Sequence, residues 1–180
     1  ATEALYRREP GVVLAVCSDD ARLSRLIRFF VLRRPATAEA LGEMLTPKLA
    51  LSLIDDHLVL PVPDSSTYRI AVEVRPHVVA GTPRLVLSDL DASMTDRVPG
   101  RDHVLGVGSA SLSLLSATPC TPVDSVLDLG TGSGVQALAQ ADNATHVVAT
   151  DVHARALAFA EATLRANGVD NVELRQGEWF

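Results

Sequence analysis

From residue 125 onward the apolar positions follow two alternating rhythms. Short runs at 125–129, 146–150 and 171–175 read as strands, and the Ala- and Leu-rich stretches between them, 134–141 and 155–167, carry helical spacing. In the second of these helices Leu157, Ala160 and Leu164 form an apolar face with Glu161 on its polar edge, and Gly168 follows where a helix C-terminal glycine belongs. Strand, helix, strand, helix and strand with short connections predict a parallel sheet with right-handed crossovers, an α/β, Rossmann-like fold.

Upstream the pattern differs. Tyr6-Arg7-Arg8-Glu9 reads as a helix end, Pro10-Gly11 as a turn and 12–16 as extended. Leu23, Leu26, Ile27, Phe30 and Val31 recur at helical spacing, with Ser18 or Asp19 as the cap, while Arg22, Arg25 and Arg28 read as a solvated face. Pro35 ends this helix, Thr37 caps a short one across 38–45, and Thr46-Pro47 opens a third across 48–54. The period then becomes two at 57–62, 68–74 and 84–87, the last two separated by Gly81-Thr82-Pro83. Three helices followed by a small antiparallel sheet predict a winged-helix-like α+β region across about 18–90. Residues 1–100 are therefore expected to form an accessory domain, and 101–180 the first part of a second domain.

Winged-helix domains often bind nucleic acid through the third helix. Here that helix carries one cation, Lys48, beside Leu49, Leu51, Leu53 and Ile54, the composition of a packing helix. A structural or substrate-positioning role is expected ahead of nucleic-acid binding. Residues 89–99 are polar and loop-like, and 101–108 (Arg-Asp-His-Val-Leu-Gly-Val-Gly) lead into a small-residue helix at 109–117. That segment is either one side of a ligand mouth, with Gly106 and Gly108 allowing close approach, or a connector between domains. His103 within it reads as a connector histidine ahead of a general base.

The candidate chemistry sits at 126–134, Val-Leu-Asp-Leu-Gly-Thr-Gly-Ser-Gly. Glycines at 130, 132 and 134 permit positive φ and close backbone approach. A strand passing through such a turn into a helix is how open α/β sheets cradle a ligand at their carboxyl edge. The dinucleotide fingerprint Gly-x-Gly-x-x-Gly requires glycine or alanine at 135, where valine stands. Asp128, ahead of the turn, would repel a pyrophosphate but can hold an ammonium group. Asp151 ends the second strand 21 residues after Gly130, where a carboxylate can accept both hydroxyls of a ribose. The plain alternatives are a glycine turn without a ligand and a solvent-facing helix cap.

Composition narrows the classes. Of 180 residues 47% are hydrophobic, with mean hydropathy +0.20, so a core is expected and disorder is not. Residues 1–100 are nearly neutral, with 12 basic against 13 acidic side chains, whereas 101–180 hold 4 against 9. An acidic C-terminal part is no obstacle to a cationic ligand and opposes non-specific nucleic-acid binding. Cys17 and Cys120 lie far apart and form no metal or disulfide pattern, which suits a reducing cytoplasm. No apolar run is long enough to span a bilayer.

The run Asp128-Leu129-Gly130-Thr131-Gly132-Ser133-Gly134 resembles the first motif of class I S-adenosylmethionine-dependent methyltransferases. The resemblance implies S-adenosylmethionine as cofactor. Asp128 would lie near its ammonium, Gly130, Thr131, Gly132 and Gly134 along its amino-acid and ribose portion, and Asp151 at the ribose, with Val152 a further cofactor-binding position. Glu178 stands where the family commonly has the aspartate that meets the adenine amino group, and Trp179 or Phe180 would cover the adenine or fill core.

The wider resemblance, over about 102–180, is to the HemK-like branch of glutamine and guanine N-methyltransferases. It is carried by Val135-Gln136-Ala137-Leu138, Ala149-Thr150-Asp151-Val152 and Asn167-Gly168-Val169-Asp170-Asn171-Val172. The N-terminal part looks like the accessory domain of bacterial members. That branch holds its acceptor with Asn-Pro-Pro-Tyr or Asn-Pro-Pro-Phe after a fourth strand, and no Asn-Pro-Pro occurs here, so catalytic residues stay unassigned. The chain is expected to be the C-terminally truncated front of a longer enzyme, with its first parallel strand left at a sheet edge.

The resulting expectation is a cytoplasmic, monomeric, metal-free N-methyltransferase acting on a planar nitrogen of a macromolecule, either a protein glutamine amide or a nucleic-acid base amine. The alternatives are a non-catalytic winged-helix/Rossmann-like binding module and a small-molecule methyltransferase. Val135 and Asp128 disfavour a nicotinamide-dependent reductase.

Overall fold

The computed structural model describes residues 9–91 and 100–178, and the chain divides into two compact units between Val72 and Glu73. Tyr6-Arg7-Arg8, most of the polar loop at 89–99, and Trp179 and Phe180 lie outside the described residues. No described helix is long and apolar enough to cross a membrane.

The first unit opens with helix α1 (Pro10–Val16), where an extended segment was expected. Pro10 occupies the first helical turn, where its missing N–H costs nothing, and Val13 and Cys17 bury against Ile27 and Leu32. That burial outweighs the weak helix propensity of the valines. Helix α2 (Arg22–Leu26) starts without a side-chain cap, so neither Ser18 nor Asp19 plays the expected part.

Helix α2 continues into a π-helical turn, Ile27–Val31, closed by the Leu32 N–H on the Ile27 carbonyl. The wider turn rotates the helix face, so Ser24 and Phe29 are buried while Leu23, expected inward, is 68% exposed. The three arginines of this helix do not form a free solvated face. Arg22 donates to the Met44 carbonyl at 2.7 Å, Arg25 pairs with Glu43 at 2.6 Å, and Arg28 donates to the carbonyls of Cys17 and Asp19.

The local signals at the next two helices hold. Thr37 accepts from the Ala40 N–H ahead of α3 (Ala38–Met44), and Thr46 accepts from the Leu49 N–H ahead of α4 (Pro47–Asp55). Strands β1 (Ala36–Thr37), β2 (Val59–Pro61) and β3 (Thr67–Ile70) then form an antiparallel sheet in the order β1-β3-β2.

The expected third strand of that sheet, 84–87, belongs elsewhere. Strands β4 (Val72–Val79) and β5 (Thr82–Asp89) pair with each other, and the contacts place this hairpin with the C-terminal unit, not within a 1–100 domain. Its turn is Ala80–Gly81, both at positive φ as a two-residue hairpin requires, one position ahead of the sequence signal.

The C-terminal unit continues with α5 (Ser109–Ala117), β6 (Val123–Leu129), α6 (Val135–Gln140), β7 (Ala144–Asp151), α7 (Ala154–Ala166) and β8 (Val172–Gln176). The three strands are parallel, in the order β6-β7-β8, with Leu127 opposite Val148 and Val148 opposite Glu173. This is the expected Rossmann-like α/β arrangement. Among the described residues β6 pairs only with β7, so it is an edge strand.

One sheet face is covered: Ala137 of α6 packs with Val147 and Ala149, flanked by Val126, Val172 and Leu174. The opposite face carries Leu127 and Leu129, which are 61% and 41% exposed. Over the helices lies the hairpin, whose Val79 and Val86 join Val135, Leu138 and Leu164 in one core.

The edge of β5 is satisfied by side chains of α7 and of its C-cap residue, Asn167. The Leu85 N–H donates to Asn167 Oδ1 at 3.0 Å, Asn167 Nδ2 donates to the Leu85 carbonyl at 2.7 Å, and the Leu87 N–H donates to Thr163 Oγ1 at 3.1 Å. These bonds join the hairpin to α7, and sequence periodicity gave no sign of them. Asn167→Ala should destabilise the unit by about 0.5–1.5 kcal/mol, the net worth of hydrogen bonding at this partly exposed edge. Denaturant unfolding of the variant would show it as a lowered midpoint with an unchanged slope.

Candidate functional site

Strand β6 ends in the turn at 130–134, where Gly130, Gly132 and Gly134 take φ values of 72, 54 and 82°. These values lie in the left-handed region that L-residues with a Cβ avoid. The turn is fastened to the end of β7: the Gly130 and Thr131 N–H groups both donate to the Thr150 carbonyl, at 2.9 and 2.8 Å. The next residue, Asp151, continues the fastening. Its Oδ2 accepts the Gly132 N–H and its Oδ1 accepts the His153 N–H, both at 3.0 Å.

The glycines divide the labour. A Cβ placed at Gly130 or Gly132 meets nothing within 4 Å, so their backbone is open to a ligand. A Cβ at Gly134 would lie 3.1–3.2 Å from Ala160, so this glycine lets α7 approach the turn. Thr131, Gly130, Gly132 and Asp151 line a cleft of about 390 Å³, within the size range of small-molecule sites.

Asp128 lies at the foot of the turn and accepts the Thr131 hydroxyl at 2.7 Å. Burial pushes its carboxyl above the ordinary range, and the nearby Asp151 charge adds to the rise. The Thr131 hydroxyl and the Ala137 N–H oppose it. A carboxylate held at this cost gains most from a cationic partner.

Val152 is 42% exposed directly after Asp151. Glu178 is exposed beyond β8, one residue past Gly177, whose N–H donates to the Asp151 carbonyl at 3.1 Å. The first motif and the second-strand aspartate are thus brought together, with the third-strand end beside them.

The other wall comes from the segment whose role the sequence left open. Asp102, His103, Val104, Leu105 and Gly106 line the same cleft as the glycine turn. His103, read as a connector residue, is one of them. Gln136 and Ser111 also line it, linked by Gln136 Nε2 donating to the Ser111 carbonyl at 3.0 Å. His103 Nε2 and Gln136 Oε1 are buried without a hydrogen-bond partner among the described residues. The sequence signals for this wall were its position just ahead of the glycine-turn strand and the Gly106 and Gly108 pair.

These features fit one kind of ligand. The cleft has open glycine backbone and the carboxylate of Asp151, with two of its roughly four acceptor positions in use, and the half-buried Asp128 carboxylate stands behind Thr131. Two further polar atoms await a partner. Carboxylate, turn and strand-end carboxylate fall in the order that the resemblance to S-adenosylmethionine-dependent methyltransferases implies. Residues 104–180 match the family described as the methyltransferase small domain, and residues 1–70 match one described as a domain of unknown function, DUF7059.

Among curated relatives, the chain is 43% identical over 58 residues to a release factor glutamine methyltransferase from Aliivibrio fischeri, covering 31% of this chain and 20% of that protein. It is 42% identical over 53 residues to a ribosomal protein L11 methyltransferase from Lactobacillus johnsonii, covering 29% and 17%. It is also 40% identical over 67 residues to a protein-L-isoaspartate O-methyltransferase from Synechococcus, covering 37% and 28%. The chain thus spans between about a sixth and just over a quarter of the length of these relatives.

The raised carboxyl of Asp128 sets a pH dependence. An ammonium ligand requires the carboxylate, so its affinity is complete above the raised value and falls as pH drops through it. The loss should therefore begin at a higher pH than for an ordinary aspartate. Titration of S-adenosylhomocysteine binding by calorimetry should show this slope, and Asp128→Asn should flatten it while weakening binding at neutral pH. In the free protein the sign reverses: ionisation of Asp128 lowers stability as pH rises from the ordinary aspartate range through the raised value.

Proposed function

We propose that the protein transfers a methyl group from S-adenosylmethionine to a planar nitrogen of a macromolecule, in the manner of the HemK-like branch. The observation carrying this reading is that the open backbone at Gly130 and Gly132 lines one cleft with Asp151, while Asp128 lies behind it, bonded to the lining residue Thr131. The bound cofactor would supply an activated methyl on a good leaving group. The protein's task is then to grip that cofactor, orient it and exclude water.

In this reading Asp128 faces the ammonium, the glycine turn lies along the amino-acid and ribose portion, and Asp151 with Val152 meets the ribose. Glu178 is assigned to the adenine amino group. Gly134 contributes through helix packing. The acceptor is a protein glutamine amide or a nucleic-acid base amine. Support for a protein acceptor comes from the relatives named for release factor glutamine and ribosomal protein L11. We read the N-terminal unit, in which helices α1–α4 accompany the small antiparallel sheet β1-β3-β2, as winged-helix-like and assign to it the task of presenting that macromolecule. The site is placed in a monomer of the cytoplasm, consistent with two free cysteines.

Calorimetry of the intact protein with S-adenosylhomocysteine tests the cofactor assignment directly, and absence of binding to the folded protein would overturn it. Asp151→Ala should cost about 1–3 kcal/mol of that binding, the penalty for unpaired polar partners. Transfer of labelled methyl into the protein or nucleic-acid fraction of a lysate would identify the acceptor class.

A further inference from the structure

Asp89, at the end of the hairpin strand β5, is joined to three places that the cleft depends on. Its carboxylate accepts both the Nε and an Nη of Arg155, in the first turn of α7 and four residues after Asp151. The same carboxylate accepts the Val104 N–H at 2.9 Å, while the Asp89 N–H donates to the Val104 carbonyl at 3.0 Å. His103 Nδ1 lies 3.8 Å away. Val104 and His103 belong to the cleft wall opposite the glycine turn, and the Arg155 guanidinium rests on the Phe159 ring, 5.2 Å from its centroid.

One residue further along the wall, a Cβ at Gly106 would lie 2.8 Å from Ser88 Oγ, so that wall is also seated closely on the hairpin. Burial works against ionisation of Asp89. Arg155, the Val104 N–H and the His103 charge outweigh it and hold the carboxyl below its ordinary range. The group is thus a carboxylate at neutral pH with every strong partner drawn from the cleft wall or from α7.

We propose that Asp89 is a positioning residue for the methyl-donor cleft: it clamps the 102–106 wall to the start of α7 and so fixes the cleft width between His103 and Asp151. The inference rests on the cofactor reading above. It assigns a role in ligand binding to the hairpin, which contributes no lining residue among those that form the cleft. A clamp of this kind acts on affinity through preorganisation, because a wall already in place need not be ordered when the ligand arrives.

The test compares two breaks in the same hairpin–α7 seam. Asp89→Asn keeps the shape but removes the charge that holds Arg155, and Asp89→Ala also removes the acceptor for Val104. Asn167→Ala breaks the seam at its other end, away from the cleft. In the intact protein, Asp89→Asn should weaken S-adenosylhomocysteine binding five- to twenty-fold. Asp89→Ala should in addition speed hydrogen exchange at the Val104 amide in the cofactor-free protein by at least tenfold. Asn167→Ala should lower the melting temperature with binding at 25 °C unchanged.

A purely structural role predicts that affinity follows stability in all three variants, and that result would overturn the proposal, as would wild-type affinity in Asp89→Asn. If the wild-type protein binds no S-adenosylhomocysteine, the cofactor reading fails on its own. The clamp is then decided by Val104 exchange, which would overturn it if unchanged in Asp89→Ala. Should Asp89→Ala fail to fold, Val104 exchange in Asp89→Asn replaces it, read against the same two outcomes.

Discussion

The carboxylate of Asp151 is the fastening on which the glycine-turn end of the sheet depends. A glycine turn at positive φ has no helix or sheet to absorb its N–H groups, and unpaired amides are costly to bury. The end of β7 meets that need, with the Thr150 carbonyl taking two N–H groups and Asp151 taking a third from Gly132. The other Asp151 oxygen takes the His153 N–H at the entry to α7. Two strands and the start of a helix are thereby held by one side chain before any ligand arrives. The lone pairs left over face the cleft's own residues or a ligand, since Asp151 also lines that cleft.

What could be read from the sequence was local. Thr37 and Thr46 cap the helices expected of them because a cap is decided within four residues. The parallel strands and their helices fall within about two residues of the expected bounds, because their periodicity is strong and their glycines stand at ends. The spacing of the glycine turn set aside a dinucleotide, and the resemblance of the 128–134 motif supplied the expected ligand class.

The misreadings were long-range. The face of α2 turned because a π-helical turn intervened, which leaves no mark in an apolar repeat. The segment 12–16 is helical because Val13 and Cys17 pack on residues 14 and 15 positions further on. The cleft wall at 102–106 was ambiguous because its anchor, Asp89, is 15 residues away from Val104, on a strand that periodicity assigned to another domain.

That strand's true allegiance has a geometric reason. Asn167, Thr163, Phe159 and Arg155 follow one another at four-residue steps and so form one stripe along α7. Four helical residues rise about 6 Å, and two strand residues rise about 6.7 Å. The steps nearly match, so Asn167 reaches Leu85 and Thr163 reaches Leu87 with the two elements antiparallel. A helix has no free backbone groups along its middle with which to extend a sheet, and short polar side chains at this interval stand in for a neighbouring strand. The register then brings Asp89 toward the start of the helix, where the long Arg155 side chain, supported on Phe159, closes the remaining gap. The stripe that caps a sheet edge at one end therefore positions a cleft wall at the other, and for that reason the hairpin folds with the C-terminal unit.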